Sequence, residues 1–254
     1  MSGRRPPSIL PDPVCAVVVG GSGGIGQAIV RALPDTCERV FFTYHRSRII
    51  AEDLAKELSS TTREVIPIQV DISDDAAWQR ALEEISESAD VDLLVNAAGI
   101  SEDALCIDVP YESVVAQYQV NVFAAWRAMS ILGRDMAYNH RGRIVNIASI
   151  AATVNSPGRS VYGSTKAALV SLTKSFAVEL GRFNIRVNAV APGFVETDMI
   201  AKFDESTRVG FLARVPLGRF ALPDEVAQVV RFLSTSDSGY LHGAVLTMDG
   251  GTTA

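Results

Sequence analysis

Tyr162 and Lys166 are the residues whose types and spacing most clearly predict chemistry. On a helix, side chains four residues apart share one face, with Cβ atoms about 5–6 Å apart. A lysine cation about 4 Å from a phenolate stabilises it by about 4 kcal/mol at an effective dielectric near 20, and about 1.4 kcal/mol changes a pKa by one unit. We therefore expect Lys166 to lower the pKa of Tyr162 from about 10 towards about 7, where a general acid works best. The same spacing also arises by chance, so its meaning depends on the elements around it.

The composition predicts one globular domain without a strong overall electrostatic field. The 254 residues fall within the range of a single α/β domain, and 48% hydrophobic with 20% charged residues is typical of a soluble protein. The 23 basic and 29 acidic residues give a net charge of -6, which does not attract nucleic acid or an anionic membrane. We expect neither of these partners.

The cysteines and histidines predict neither disulfides nor a metal site. The three cysteines show no C-x-x-C spacing, and the three histidines form no H-E-x-x-H pattern. We interpret the three cysteines as packing residues of a protein in the reducing cytoplasm. The start MSGRRPPSILPDP lacks the apolar stretch of a signal peptide, and no uninterrupted run of about 18 apolar residues predicts a transmembrane helix. We predict a cytoplasmic protein in which residues 1–13 form a flexible tail.

Apolar runs rich in β-branched residues alternate with helical periodicity along the chain. This alternation favours a parallel sheet covered on both faces. We therefore predict a single-domain, Rossmann-like, doubly wound α/β fold over residues 14–254, with ligands beyond the carboxyl ends of its strands. The stretch 192–222 is rich in Gly, Pro and Thr, lacks strong periodicity, and is predicted to be a substrate loop or lid. The seven predicted strands are 14–20, 39–44, 64–70, 91–97, 143–149, 185–191 and 244–248.

A glycine-rich turn directly after the first strand predicts nucleotide binding. In VGGSGGIGQAIV the glycines precede an amphipathic helix, where they permit a tight turn and a close approach of the backbone to a pyrophosphate. The helix terminus adds oriented N–H groups and a partial positive charge. The expected contacts are Gly20, Ser22, Gly23, Gly24, Ile25 and Gly26.

The end of the second strand predicts which nucleotide is preferred. A carboxylate there would bind the ribose hydroxyls of NAD and repel a 2′-phosphate, but Tyr44 occupies this place and is followed by His45 and Arg46. Arg46 can pair with a phosphate, which favours NADP(H) without excluding NAD(H). Further cofactor contacts are expected where the third and fourth strands end, at Asp71, Ile72, Asn96, Ala97, Ala98 and Gly99.

With these elements in order, the sequence resembles the short-chain dehydrogenases/reductases over essentially its whole length, and most of all the 3-oxoacyl-[acyl carrier protein] reductases. The motifs that carry this resemblance are VGGSGGIG, NAAG, QVNVFAAW, RIVNIAS, YGSTK, VNAVAPGFVETDM and the terminal MDGG.

The resemblance implies a catalytic group of four residues. Tyr162 would protonate a carbonyl oxygen as hydride arrives from a nicotinamide, and Ser149 would hydrogen-bond that oxygen. Lys166 would lower the pKa of Tyr162 and bind the nicotinamide ribose, while Asn121 would position a water that links Lys166 to solvent. The carboxamide would be held by Pro192, Gly193, Val195 and Thr197, with the segment after them closing over the substrate.

The chain departs from the family pattern at several positions. Val19 replaces the usual Thr before the first glycine, and Gly23 replaces an Arg that many carrier-protein reductases have. The basic positions that hold acyl carrier protein are His140 and Phe183 here, although other arginines, at positions 141, 143, 182 and 186, lie nearby. The resemblance also implies a homotetramer built partly from the helices that carry Asn121 and Tyr162.

Three functions are therefore carried forward. The first is an NADP-dependent oxidoreductase that reduces a ketone, such as a 3-oxoacyl thioester on acyl carrier protein or CoA, or a polyketide-type substrate. The second is an NAD-linked secondary alcohol dehydrogenase of the same family. The third is a non-catalytic nucleotide-sensing protein, which degenerate catalytic positions would indicate, and none of the four positions is degenerate.

Overall fold

A parallel sheet of seven strands forms the centre of the computed structural model, which describes residues 10–254 apart from the side chain of Met199. The strands are β1 (Cys15–Val19), β2 (Arg39–Tyr44), β3 (Glu64–Gln69), β4 (Leu93–Asn96), β5 (Gly142–Ile147), β6 (Ile185–Pro192) and β7 (Val245–Met248). Their order is β3-β2-β1-β4-β5-β6-β7, and every neighbouring pair is parallel. The order reverses between β1 and β4, which places a ligand crevice at their carboxyl ends.

Nine α-helices connect these strands within the described residues. They are α1 (Gly24–Ala32), α2 (Arg48–Leu58), α3 (Asp75–Ser88), α4 (Tyr111–Tyr118), α5 (Ala124–Tyr138), α6 (Ser160–Leu180), α7 (Asp198–Ala201), α8 (Glu205–Leu212) and α9 (Pro223–Ser234). A π-helical turn, Gln119–Phe123, joins α4 directly to α5. Local chemistry fixes some boundaries: Asp74 caps α3 by accepting from the Ala77 N–H, and Pro223 begins α9.

Two apolar layers bury the two faces of the sheet. Ile29 of α1 and Leu54 of α2 belong to one layer, together with residues of α9. Trp78 of α3 and Leu132 of α5 belong to the other. Each fully buried side chain of this size stabilises the fold by about 1.5–3 kcal/mol. The predicted doubly wound fold with seven parallel strands is confirmed.

Residues 10–13 correct the prediction of a flexible tail that reaches residue 13. Leu10 is buried, and the guanidinium of Arg143 donates to the carbonyl oxygens of Leu10 and Pro11 at 2.9 and 2.7 Å. Asp12 accepts from the N–H of Ser236 at 2.8 Å. We call residues 10–13 the amino-terminal strap. The rest of the predicted tail, residues 1–9, lies outside the described residues.

The stretch 192–222 leaves the sheet at its carboxyl edge and contains the two short helices α7 and α8. Its apolar side chains form a small cluster of their own, in which Ile200, Val215 and Phe220 are buried. The rings of Phe194 and Phe211 stack in the same place, with centroids 4.7 Å apart. This stretch is therefore a packed substructure, and its predicted role as a substrate loop or lid stays a prediction. Across the described residues, no helix is both long and apolar enough to cross a membrane.

Candidate active site

Ser149, Tyr162 and Lys166 line one cleft at the carboxyl edge of the sheet. Ser149 follows β5, and its hydroxyl accepts from the Ala151 N–H at 3.1 Å, which fixes the turn. Tyr162 and Lys166 lie on the first turns of α6. A Cβ at Gly163 would lie 2.8 Å from the Ala151 carbonyl oxygen, so a residue without a side chain lets α6 approach the segment after Ser149. The structure thus brings these three predicted residues together.

The pKa of Tyr162 corrects the expectation from sequence. Burial raises the pKa of this phenol above its ordinary value, because the charged phenolate loses its hydration. Hydrogen bonding to Ser149 and the positive charge of Arg159 both act in the opposite direction. The Lys166 ammonium lies 5.7 Å from the centre of the Tyr162 ring. In this structure the phenol is therefore a protonated donor.

Lys166 is buried with a single protein acceptor for its ammonium. It donates to the carbonyl oxygen of Ile147 at 2.9 Å. Burial lowers the pKa of Lys166 to about 8. A Cβ at Gly99 would lie 3.2 Å from its Nζ, so Gly99 leaves space beside the ammonium. An ammonium has three donors, and two of them lack a partner within residues 10–254, so they are free for ligand hydroxyls.

Asn121 lies in the π-helical turn, where its side chain joins two other segments. Its Oδ1 accepts from the Ile100 N–H at 2.8 Å, and its Nδ2 donates to the Ile100 carbonyl oxygen at 2.9 Å. Nδ2 also donates to the Thr165 hydroxyl at 3.0 Å, one residue before Lys166. π-Helical turns are frequent at functional sites. Asn121 is thus tied to α6 and to the segment after Gly99, and its predicted water-positioning role stays a prediction.

The glycine-rich turn leaves the amino terminus of α1 open. Gly20 has φ 79°, and a Cβ at Gly26 would lie only 2.1 Å from the Gly20 carbonyl oxygen, so both positions need glycine. Within the described residues no side chain caps this helix. Its first N–H groups are therefore available to an anion, which a dinucleotide pyrophosphate would supply. The residues present fit a nucleotide cofactor.

Thr43 compensates for the departure at Val19. Its hydroxyl accepts from the Gly20 N–H at 2.8 Å. Thr43 lies on β2 and is buried, so this bond fixes the glycine-rich turn from the neighbouring strand. The turn therefore keeps a hydrogen bond to a hydroxyl group, although Val19 itself has no hydroxyl.

The predicted adenosine-side residues gather where β2 and β3 end. Tyr44 is buried, whereas His45 and Arg46 are exposed. The Nε2 of His45 lies 3.6 Å from Oδ2 of Asp71. Hydrogen bonding to Ser73 lowers the pKa of Asp71, with a smaller effect from the nearby charges. Within the described chain Arg46 has no ion-pair partner, so its charge is available.

Asn96 is held by a buried polar chain that crosses the sheet. Its Nδ2 donates to Oδ1 of Asn146 at 2.8 Å, and Nδ2 of Asn146 donates to the Thr173 hydroxyl at 2.9 Å. The carbonyl oxygen of the Asn96 side chain has no partner among the described residues. Asn96 therefore helps to hold β4, β5 and α6 together beneath the cleft.

Five residues line the cleft that the sequence analysis did not select: Ile147, Ala148, Arg159, Phe194 and Ile200. The predicted lining residues include Ile25, Ala97, Gly99, Pro192, Gly193, Val195 and Thr197. Arg159 immediately precedes α6, and no pattern in the sequence singled it out. The other four are apolar residues next to motif positions. No group of His, Cys, Asp or Glu within residues 10–254 is arranged to hold a metal ion.

Comparisons with known proteins agree with this geometry. A family model described as enoyl-(acyl carrier protein) reductase matches residues 20–253. The 3-oxoacyl-[acyl-carrier-protein] reductase FabG of Thermotoga maritima is 36% identical, covering 94% of this chain and 96% of its own. Carbonyl reductase family member 4 of Xenopus tropicalis is 38% identical, covering 94% of this chain and 97% of its own. A short chain dehydrogenase from Burkholderia cenocepacia in complex with NADP has a TM-score of 0.87 and 33% identity, covering 94% of this chain and 98% of its own.

Proposed function

This chain belongs to the short-chain dehydrogenase/reductase family of nicotinamide-dependent oxidoreductases, and we propose from that premise that it reduces a ketone to a secondary alcohol with NADPH. The resemblance that its motifs indicated, including that to 3-oxoacyl-[acyl-carrier-protein] reductases, is confirmed. One observation supports the proposed reaction above the others. Ser149, Tyr162 and Lys166 meet in one cleft beside the open amino terminus of α1.

The proposed roles follow from what each side chain can do. Carbonyl reduction develops negative charge on oxygen, so the site needs hydrogen-bond donors and a proton at that atom. Ser149 holds the oxygen, and Tyr162 donates its phenolic proton to it. Lys166, anchored on Ile147, uses its remaining donors for the nicotinamide ribose. A bound nicotinamide would supply the hydride. Asn121 positions the water that leads from Lys166 towards solvent.

We propose a preference for NADP(H) on the basis of the residues that follow β2. No carboxylate follows this strand directly, and the exposed Arg46 is available for a 2′-phosphate. The complex of the Burkholderia protein with NADP supports the same choice. The ratio of kcat/KM for NADPH to that for NADH tests it, and Arg46→Ala should lower that ratio by about 10-fold, because one charged hydrogen bond is lost. A wild-type ratio below one would instead support an NAD-linked alcohol dehydrogenase.

The proposed substrate is a small 3-oxoacyl thioester or a related polyketide-type ketone. The relatives named for 3-oxoacyl-[acyl-carrier-protein] reduction support the acyl class. The arginines near the expected carrier-protein surface are largely occupied: Arg143 is buried under the amino-terminal strap, Arg141 pairs with Asp92, and Arg186 donates to the Gly239 carbonyl oxygen. Less positive charge is therefore available for an acidic carrier protein, which favours a substrate that is not bound to that protein.

The proposed assembly is a cytoplasmic homotetramer. Large apolar side chains are exposed along α4, α5 and α6 in the single chain, among them Val115, Trp126 and Val178. A second copy would cover them. The three cysteines are free thiols, which suits a reducing compartment. Sedimentation velocity tests the assembly, and a monomer at micromolar concentration would contradict it.

Replacement of the proposed proton donor tests the function directly. Tyr162→Phe removes the phenolic hydroxyl and keeps the ring, so we expect kcat to fall by about 100-fold or more while the Kd for NADPH changes less than about 3-fold. Loss of NADPH absorbance with acetoacetyl thioesters, cyclic diketones and simple ketones measures turnover. Tyr118→Phe is the matched control, because Tyr118 donates to Ser164 on the exposed surface.

Two outcomes would contradict this assignment. Turnover retained in the Tyr162→Phe variant would remove Tyr162 from the reaction. A wild-type protein that binds NADPH but reduces none of the ketones would favour the nucleotide-sensing alternative.

A further inference from the structure

Arg159 lies inside the cleft although no step of the proposed reaction uses it. It precedes α6 and lines the same cleft as Ser149 and Tyr162. Its side chain is only 16% exposed. A guanidinium this far from solvent needs partners, because burial of an unpaired charge is strongly unfavourable. The contacts of the Arg159 guanidinium therefore indicate its role.

The guanidinium lies near two aromatic rings. Its Cζ lies 5.5 Å from the centre of the Tyr162 ring and 5.8 Å from that of Phe203, in the stretch between α7 and α8. Cations stack on aromatic faces in this way. Arg159 thus lies between the first turns of α6 and the stretch that follows β6, with an aromatic ring from each within about 6 Å.

One edge of the guanidinium is bound to Asp103. The Nε and Nη2 atoms both donate to Oδ2 of Asp103 at 3.2 Å, and Oδ1 of Asp103 accepts from the Ser101 hydroxyl at 2.7 Å. A guanidinium has five donors. In the part of the chain that the structure describes, neither N–H of Nη1 has an acceptor. The second edge of Arg159 is therefore free for a ligand.

The charges at this position are balanced. Asp103 neutralises Arg159, so the pair presents hydrogen-bond donors with little net charge. A neutral oxygen, such as an ester or thioester carbonyl, suits such donors. A carboxylate would be attracted by Arg159 but repelled by Asp103 at a similar distance.

We propose that Arg159 is a specificity-determining residue that binds the second carbonyl oxygen of a neutral 1,3-dicarbonyl substrate. This inference rests on the proposed function, in which Ser149 and Tyr162 hold the oxygen to be reduced. In a 3-oxoacyl ester or thioester only one methylene separates the two carbonyl groups. The second oxygen therefore lies near the first, and Arg159 lines the same cleft, with its Cζ 5.5 Å from the centre of the Tyr162 ring.

Two neutral substrates of equal chain length test this role. Ethyl acetoacetate has the second oxygen and 2-heptanone lacks it. We expect Arg159→Met to lower kcat/KM for ethyl acetoacetate by about 10- to 100-fold, because a charged hydrogen bond is lost. The loss for 2-heptanone should be at least about 5-fold smaller, because that substrate loses only the effect of the Arg159 charge on Tyr162. Arg159→Lys keeps a donor and should recover part of the activity on ethyl acetoacetate alone. NADPH titration shows whether each variant keeps its cofactor site.

Asp103→Asn tests the charge balance separately. With Arg159 no longer neutralised, we expect the ratio of kcat/KM for acetoacetate to that for ethyl acetoacetate to rise by about 5-fold or more. Equal losses on ethyl acetoacetate and 2-heptanone in Arg159→Met would overturn the inference and leave the proposed reductase intact. A wild-type protein inactive on these three ketones and on acetoacetyl thioesters would instead reject the proposed function, and the inference with it.

Discussion

Tyr162 and Lys166 show how burial acts on an acid and a base in one cleft. It raises the pKa of the phenol and lowers that of the ammonium, because each charged form loses hydration. Both shifts favour a neutral pair when no ligand is bound. The positive charge at Lys166 is thus held against an opposing desolvation energy, and the folded protein is less stable for it.

The Lys166→Met variant should therefore be inactive and more stable. The pKa of Lys166 is about 8 in the fold against 10.5 as its ordinary value. Between these values the unfolded chain binds more protons, so the stability of the wild type rises with pH from about 8 to 10.5 and is lowest below pH 8. We expect the variant to gain about 1–3 kcal/mol in free energy of unfolding at pH 7 and to lose the pH gradient. Urea denaturation at pH 7 and pH 10 measures both.

Lys174 provides the control for that experiment. It lies on the same helix, α6, but is exposed. Lys174→Met should leave activity and the pH dependence of unfolding unchanged. If Lys166→Met were less stable than the wild type at pH 7, the inference that burial opposes the charge would be rejected.

At the scale of the elements, the turn between β1 and α1 has the least steric freedom. Gly26→Ala would place a Cβ against the Gly20 carbonyl oxygen. We expect the turn to open and the Kd for NADPH to rise by about 10-fold or more, since the first N–H groups of α1 no longer converge on the pyrophosphate. Quenching of protein fluorescence by NADPH measures the affinity.

Gly210→Ala is the matched control for Gly26→Ala, because a side chain at residue 210 has room. Gly210 lies in α8, and a Cβ there meets nothing within 4 Å. Gly210→Ala should stabilise the protein by about 0.5–1 kcal/mol through helix propensity, with NADPH affinity unchanged. An unchanged affinity in Gly26→Ala would show that the turn is not part of the cofactor site.

Sequence patterns predict those features of the fold and the site that depend on neighbouring residues, and they do not predict features that depend on distant segments. The sheet and the pair Tyr162 and Lys166 could be predicted, because alternating periodicity and helical spacing are local properties of the chain. The pKa of Tyr162 could not, since burial depends on packing of distant segments. The contacts of Arg159 with Asp103 and Phe203 are equally remote in sequence. Leu10 lies in a proline-rich segment whose lack of periodicity resembled disorder.

For the whole molecule, the amino-terminal strap closes the end of the sheet opposite the cleft. Deletion of residues 1–13 would leave the buried guanidinium of Arg143 without the carbonyl oxygens of Leu10 and Pro11. We expect a loss of roughly 3–5 kcal/mol in free energy of unfolding, as when one partner of a buried charged contact is removed. Thermal and urea denaturation measure this change.

Deletion of residues 1–9 is the control, because it keeps every described contact of the strap. We expect the deletion of residues 1–13 to be less stable than this control by that amount. Equal stability of the two deletions would show that the contacts of Leu10 and Pro11 with Arg143 contribute nothing.

The bond between Thr43 and Gly20 links two parts of the proposed cofactor site. Thr43 supports the glycine-rich turn, and the next residue on the same strand, Tyr44, begins the segment proposed to select between NADPH and NADH. Substitutions that reshape this segment will also disturb Thr43 when they shift β2. Attempts to exchange the cofactor should therefore show epistasis: a carboxylate placed at residue 44 will switch preference efficiently only in backgrounds that keep the Thr43 hydroxyl in place.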